Sequence, residues 1–134
     1  MAKIMDEMLT KPTMRILVTG STTWTDVDAM RREFKKLPSD STIVTGDTPG
    51  VDAIAEALAH EMGFKIERMK KSDEDYKIYP QEAWKRLNER MIETKIDLVL
   101  AFNADFYKEG HARGTRHAVE LAQEQDIPVR IVLA

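Results

Sequence analysis

The sequence predicts an α/β fold: one three-layer domain on a mainly parallel five-stranded sheet. Three observations predict it. Runs with strand character and runs with helical spacing alternate five times along the chain. The strand-like runs are short, apolar and rich in β-branched residues, as expected where a strand is buried on both faces. Right-handed crossovers between such strands would then cover both faces of the sheet with helices.

At the N-terminus, residues 1–13 form a mixed-charge leader in which "MDEML" has the makings of a helical turn, and Pro12 separates it from the first strand. That strand is "RILVT" (15–19), and the loop "GSTTWTD" leaves it. Asp26 is a natural N-cap for a helix whose apolar face is Val27, Met30, Phe34 and Leu37, and "LPSD" ends it. "TIVT" (42–45) is a strand and "GDTPG" its exit. A helix runs from about Val51 to Met62 with Ile54, Leu58 and Met62 on one face, and Gly63 stops it. "FKIERM" (64–69) reads as the third strand. Residues 70–80 are polar and charged and read as an irregular connection of a kind that often carries function. A helix comes next over about Gln81–Thr94, then the clearest strand, "DLVLAF" (97–102). The loop 103–113 leads into a helix over about Gly114–Gln125, and "IPVRIVL" supplies the last strand (129–133).

With 134 residues the chain suits one domain, assigned to 14–134, with 43% hydrophobic and 32% charged residues. A net charge of −3 argues against nucleic acid as a bulk partner, which requires a broad basic surface. It leaves room for a local cationic pocket. There is no cysteine, so disulfides, thiol nucleophiles and Cys-ligated metals are excluded. Three scattered histidines give no zinc spacing, and neither a metal nor a cofactor is expected. No apolar run approaches membrane-spanning length, and the expectation is a cytoplasmic protein without a membrane partner.

Ligands of parallel sheets bind at the carboxyl ends of the strands, near the switch in strand order. Three loops leave strand ends with small or polar residues, "GSTTWTD", "GDTPGVD" and "EGHARGT", and parallel strands would bring all three to one edge. Gly20 permits a sharp turn and close approach, and Ser21 and Thr22 add hydroxyl and N–H donors. The loop is neither a spaced-glycine dinucleotide fingerprint nor a P-loop. Trp24 can stack on a base or pack over the core edge. Gly46 and Gly50 flank a second turn, after which Asp52 can accept from a ribose hydroxyl or interact with the helix dipole. Arg113, Gly114 and Thr115 open a helix, and bare N–H groups beside a guanidinium suit a phosphate. His117 and Glu120 lie further along that helix and read as solvent-facing, as does His60. Trp84 and Met91 read as core or as an interface between copies in a homo-oligomer.

Taken together, "VTGSTTWTD", the Gly46/Gly50/Asp52 loop, "DLVLAF", Gly114-Thr115 and the closing Ile-Pro-Val resemble the SLOG superfamily, in particular its YspA-like branch, over roughly 14–133. The resemblance implies a Rossmann-like domain associated with nucleotides, as in DprA and the Lonely Guy phosphoribohydrolases. The chain departs from the pattern in places. Asp47 stands where the branch has glycine and Pro49 where it has arginine. Asn88 and Met91 fit an Arg-Asn-x-x-Met motif, but Leu87 takes the arginine position, with Arg86 and Arg90 as flanking substitutes. Residue 118 is alanine where the Lonely Guy motif has its glutamate, and Glu120 lies about 200° further around the helix. The expected function is therefore binding of a nucleotide-derived small molecule. One alternative is a nucleotide hydrolase of N-glycosidase or phosphoribohydrolase type, with Asp47, Asp52 or Glu120 as its carboxylate. A second is a DprA-like DNA-associated scaffold, against which the acidic balance weighs.

Overall fold

A computed structural model describes residues 13–133, so the leader assigned to 1–13 lies, Thr13 apart, outside the described residues. The elements are β1 (Arg15–Gly20), α1 (Val27–Phe34), β2 (Thr42–Thr45), α2 (Val51–Met62), β3 (Lys65–Arg68), α3 (Asp73–Ile78), α4 (Ala83–Ile92), β4 (Leu98–Phe102), α5 (Arg113–Glu124) and β5 (Val129–Val132). The five strands pair in the order β3-β2-β1-β4-β5, and every pairing is parallel. From β1 the chain winds outward to β3, then returns to place β4 on the other side of β1. The order therefore reverses between β1 and β4, where Gly20 stands opposite Phe102.

The alternation of side chains along a strand divides the core in two. Ile16, Val18, Ile43, Leu98, Leu100 and Phe102 pack against Met30 and Phe34 of α1 and Ala55 and Leu58 of α2. Leu17, Val44 and Val99 face the other way, onto Leu87, Met91 and Ile92 of α4 and Ala122 of α5. This is a three-layer, Rossmann-like arrangement. The central strands read as unbroken apolar runs because both of their faces are covered. The outer strand β3 is largely exposed and carries Lys65, Glu67 and Arg68, charges that discourage pairing with another sheet edge.

Local chemistry sets the helix ends. The Asp26 carboxylate accepts from Ala29 N at 3.0 Å, and Gly63 closes α2 in the left-handed region at φ 81. Leu37 lies beyond the end of α1 yet is buried in the same core.

The connection over 70–80 is not irregular. It contains α3, started by a reciprocal capping box between Ser72 and Asp75. The Asp75 side chain is fully buried, and Arg90 of α4 grips it with two bonds, Nε to Oδ1 at 3.0 Å and Nη2 to Oδ2 at 2.6 Å. Arg90 also donates to the Lys70 carbonyl at 2.6 Å. The helix is held by this ion pair and the box rather than by an apolar stripe, so hydrophobic periodicity does not mark it.

Candidate functional site

Two glycines lock the loops above β1 and β2 together. A Cβ on Gly20 would lie 2.1 Å from the Phe102 carbonyl oxygen, so only glycine lets β1 end this close to β4. Gly50 has φ +75, and a Cβ there would stand 2.3 Å from the Ser21 carbonyl oxygen. That carbonyl accepts from Val51 N at 3.1 Å, while Ser21 N donates to Phe102 O at 2.9 Å. The β1 exit, the α2 start and the β4 end thus form one continuous piece of backbone.

Asp52 stitches the β2 exit from beneath. Its Oδ2 accepts from Thr48 N at 3.2 Å and from Thr48 Oγ1 at 2.8 Å, and its Oδ1 lies 3.1 Å from Thr45 Oγ1. Burial pushes its carboxyl above the ordinary range, against the pull of the threonine hydrogen bonds. Asp47 lies higher in the same loop. Lys71 N donates to its Oδ2 at 3.0 Å and Lys71 Nζ to its Oδ1 at 2.6 Å. Burial works against the charged form of Asp47, but these bonds and the adjacent ammonium outweigh it and hold the carboxyl below its ordinary value.

On the far side of the switch, Ala112 takes a left-handed conformation (φ 58, ψ 34) and turns the chain into α5, which has no side-chain cap. Its leading N–H groups are left for another acceptor. A Cβ on Gly114 would meet only Trp84 Cε3, at 3.9 Å, so nothing in the protein requires glycine there. Thr115 is buried and its Oγ1 accepts from Asn103 Nδ2 at 3.1 Å. The Arg113 guanidinium is largely exposed, bonds Glu82 at 2.5 Å and lies 5.7 Å from the centre of the Trp84 ring.

Helix α4 supplies the side wall. Trp84, Leu87, Asn88 and Met91 recur at i, i+3, i+4 and i+7, one helical face. Asn88 Nδ2 donates to the Gly114 carbonyl at 3.1 Å and lies 3.2 Å from His117 Nδ1. The His117 ring meets Trp84 edge-on at 5.6 Å, and its burial lowers its pKa.

These parts enclose a cavity of about 330 Å³ at the carboxyl ends of β1 and β2. Its floor carries Thr19, Gly20, Gly46 and Asp52, its apolar wall Trp84, Leu87 and Met91, and its rim the cations Lys71 and Arg113. Thr22, Asn88, Gly114 and Thr115 also line it. A second cavity of about 250 Å³ adjoins it and is lined by Ser21, Asn103, Asp105 and Ala112 together with Gly20, Thr22, Gly114 and Thr115.

Several sequence candidates stand elsewhere. Trp24 is a core residue, its Nε1 donating to Asp26 O at 2.9 Å and its ring edge-on to Phe102 at 5.7 Å, so no base can stack on it. Gly50 supports the site from behind. Asp52 does line the cavity, and both of its oxygens accept from threonines, so it orders the loop from the floor. Glu120 lines a different cavity, with Phe106, Tyr107 and Arg116. Arg90 is bound to Asp75 and Arg86 to Glu89 and Glu93, so neither replaces the motif arginine at Leu87. Trp84 and Met91 face the cavity, and His117 is turned inward against Asn88. Lys71, Thr48 and Leu87 line the site without having been expected there from the sequence. Only the helical spacing from Trp84 to Met91 signals the wall, and Lys71 meets a partner 24 residues away.

Among the described residues no group of His, Cys, Asp and Glu can hold a metal ion, and no helix is long and apolar enough to cross a membrane.

Residues 14–73 match the model of the YspA, cpYpsA-related SLOG family. The Gene 61 protein of Mycobacterium phage D29 is 32% identical over 122 residues, spanning 86% of this chain and 93% of that protein. Among solved structures, the C-terminal domain of a hydrogenase from Pyrococcus furiosus superposes with a TM-score of 0.50 at 18% identity, over 89% of this chain and 90% of that one. A second structure of that domain gives a TM-score of 0.47 at 18% identity, over 87% and 89%. At such identity the structural likeness shows the α/β fold alone.

Proposed function

Because the chain belongs to the YspA, cpYpsA-related SLOG family, we propose that it binds a nucleotide or a nucleotide-derived, phosphate-containing small molecule in the cleft above β1 and β2. Family and fold together support a nucleotide-related binding or processing role. The observation that carries the finer reading is the convergence of the uncapped α5 N-terminus, the bare Gly20 turn and Arg113 on one cavity that also has an aromatic wall. A phosphate accepts from the α5 N–H groups and from Arg113, and glycine at 114 allows it to approach the backbone. The base lies against Trp84, Leu87 and Met91, where Trp84 takes the role the sequence suggested for Trp24. Asn88 steadies the arrangement by tying α4 to the first turn of α5.

Binding is favoured over hydrolysis for a chemical reason. A carboxylate that activates water must present a sufficiently basic oxygen to the bound ligand. Lys71 holds the Asp47 carboxyl below its ordinary value and so makes it a weak base, Asp52 orders its own loop through Thr45 and Thr48, and Glu120 lines another cavity. A DNA scaffold is disfavoured by the net charge of −3.

The test is mass spectrometry of small molecules released from the heat-denatured, purified protein, followed by calorimetric titration of whatever nucleotide series is found. Release of a phosphate-free metabolite, or no binding across mono- and dinucleotides of every base, would refute the reading. Turnover of the bound nucleotide, lost in Asp47→Asn, would make the protein an enzyme.

A further inference from the structure

The two outer strands of the sheet, β3 and β5, each leave a row of backbone groups unpaired. They are protected differently. β3 carries Lys65, Glu67 and Arg68, with Arg68 paired to Glu56 and Glu67 to Arg15. β5 has one charge, Arg130, and Glu33 holds it at 2.5 Å against the α1 face. Val99 N donates to Pro128 O at 2.9 Å and Asn103 N to Val132 O at 3.0 Å. With Val129 beside Val99 and Ile131 beside Ala101, Val129 and Ile131 turn their own N–H and C=O groups outward. Next to this open edge, Leu133 is 42% exposed and Tyr107 71%. A groove of about 300 Å³ runs there, lined by Ile131, Phe106 and Tyr107 together with Arg116 and Glu120 of α5. We infer that this edge is an interface between two copies of the chain, paired antiparallel through β5 about a two-fold axis at Ile131, so that the two sheets join into one.

The charges of the groove select a second copy as the occupant. Arg116 donates through Nη2 to the carbonyls of Phe106 and Lys108, but its Nε is buried without an acceptor. Neither Arg116 nor Glu120, one helical turn further on, has an ion-pair partner among the described residues, although both line the same groove. A two-fold axis sets α5 of one copy antiparallel to α5 of the other. Arg116 of each copy then faces Glu120 of the other, and one patch supplies both halves of two ion pairs. The strand selects the register. With the axis at Ile131, Val129 of one copy stands opposite Leu133 of the other, which covers the exposed leucine, and Arg130 stands opposite Val132. An axis at Arg130 would set two guanidinium groups face to face, a destabilising pair.

Sedimentation of the whole chain across a dilution series tests the dimer. A two-copy mass that gives way to monomer on dilution is expected. Leu133→Lys should weaken the dimer about tenfold or more, and Glu120→Lys should weaken it several-fold, less so in high salt. Both side chains are exposed, so the fold should stand. The chain has no cysteine, so one introduced thiol reports one contact. Ile131→Cys should close a disulfide across the axis, where facing Cα atoms lie about 5.5 Å apart. Leu133→Cys should not, because its twin is displaced by four residues, roughly 13 Å along the strands. A monomer at every concentration up to about 100 μM would overturn the interface and leave this edge to a strand of another protein. A dimer indifferent to Leu133→Lys, or one that links through Leu133→Cys and not through Ile131→Cys, would overturn the pairing through β5.

Discussion

Arg113 is not idle in the free protein: Glu82 holds it at 2.5 Å, and its guanidinium lies beside Trp84. An incoming phosphate therefore competes with a carboxylate, which offsets part of its gain. Arg113→Ala is expected to weaken nucleotide binding about tenfold, the lower end of what a lost charge-assisted contact costs. Folding should be little changed, because the side chain is exposed, and Lys at this position should recover only part of the affinity for want of a planar fork. Titration calorimetry on the three proteins reads this directly, and equal affinities would remove Arg113 from the site. Gly114 makes the opposite kind of case. A Cβ fits there against the protein, and alanine in a helix is worth about 0.5–1 kcal/mol over glycine. Gly114→Ala should therefore melt at the same or a higher temperature while binding nucleotide less well. A variant that binds normally would show that no ligand approaches this backbone.

At the scale of elements, α3 depends on a charge. Removing Arg90 would leave the fully buried Asp75 carboxylate without its two guanidinium bonds. Arg90→Ala should cost about 3 kcal/mol, the low end for a broken buried pair because Arg90 itself is partly exposed. The pH dependence has a definite sign. The hydrogen bond from Arg90 holds the Asp75 carboxyl below its ordinary 3.8, despite its burial. The stability it contributes is thus complete above that value and is lost as pH falls through the depressed one. Urea unfolding from neutral pH down to about pH 3 should show Asp75→Asn less stable than wild type at neutrality, with the gap closing in acid. A constant gap would assign the loss to packing. The same pair marks the boundary of what is legible in the sequence. β1 and β4 announce themselves as unbroken apolar runs, and the two longest helices, α2 and α5, by the period of their apolar faces. The three-loop convergence follows from parallel strands, and Gly20, Gly114 and Arg113 follow from it. Helix α3, Lys71 and the inward turn of His117 rest on polar partners distant in sequence, and polar pairing leaves no period to read. Trp24 is ambiguous in the sequence because a ring beside a helix start serves a core as well as a base.

For the whole molecule, the site lies where the strand order reverses, so its walls come from both halves of the chain: β1, β2 and α2 on one side, α4 and α5 on the other. A ligand held by both halves should stabilise the fold as a unit. At a free concentration of a hundred times its Kd it would add about 2.7 kcal/mol, or roughly 10 °C in melting temperature for a domain of this size. Differential scanning calorimetry should show one transition moving upward with ligand. A transition that splits, with one part unmoved, would mean that the ligand touches only one half.

The backbone joint at Gly20 and Gly50 also has a meaning in time. Val51 N and Ser21 N are already bonded across it, and neither glycine has room for a side chain. This part of the cleft floor has no slow closing step to make before a guest is held. Guests of similar charge should then arrive at similar rates, and selectivity should be expressed in how long each one stays.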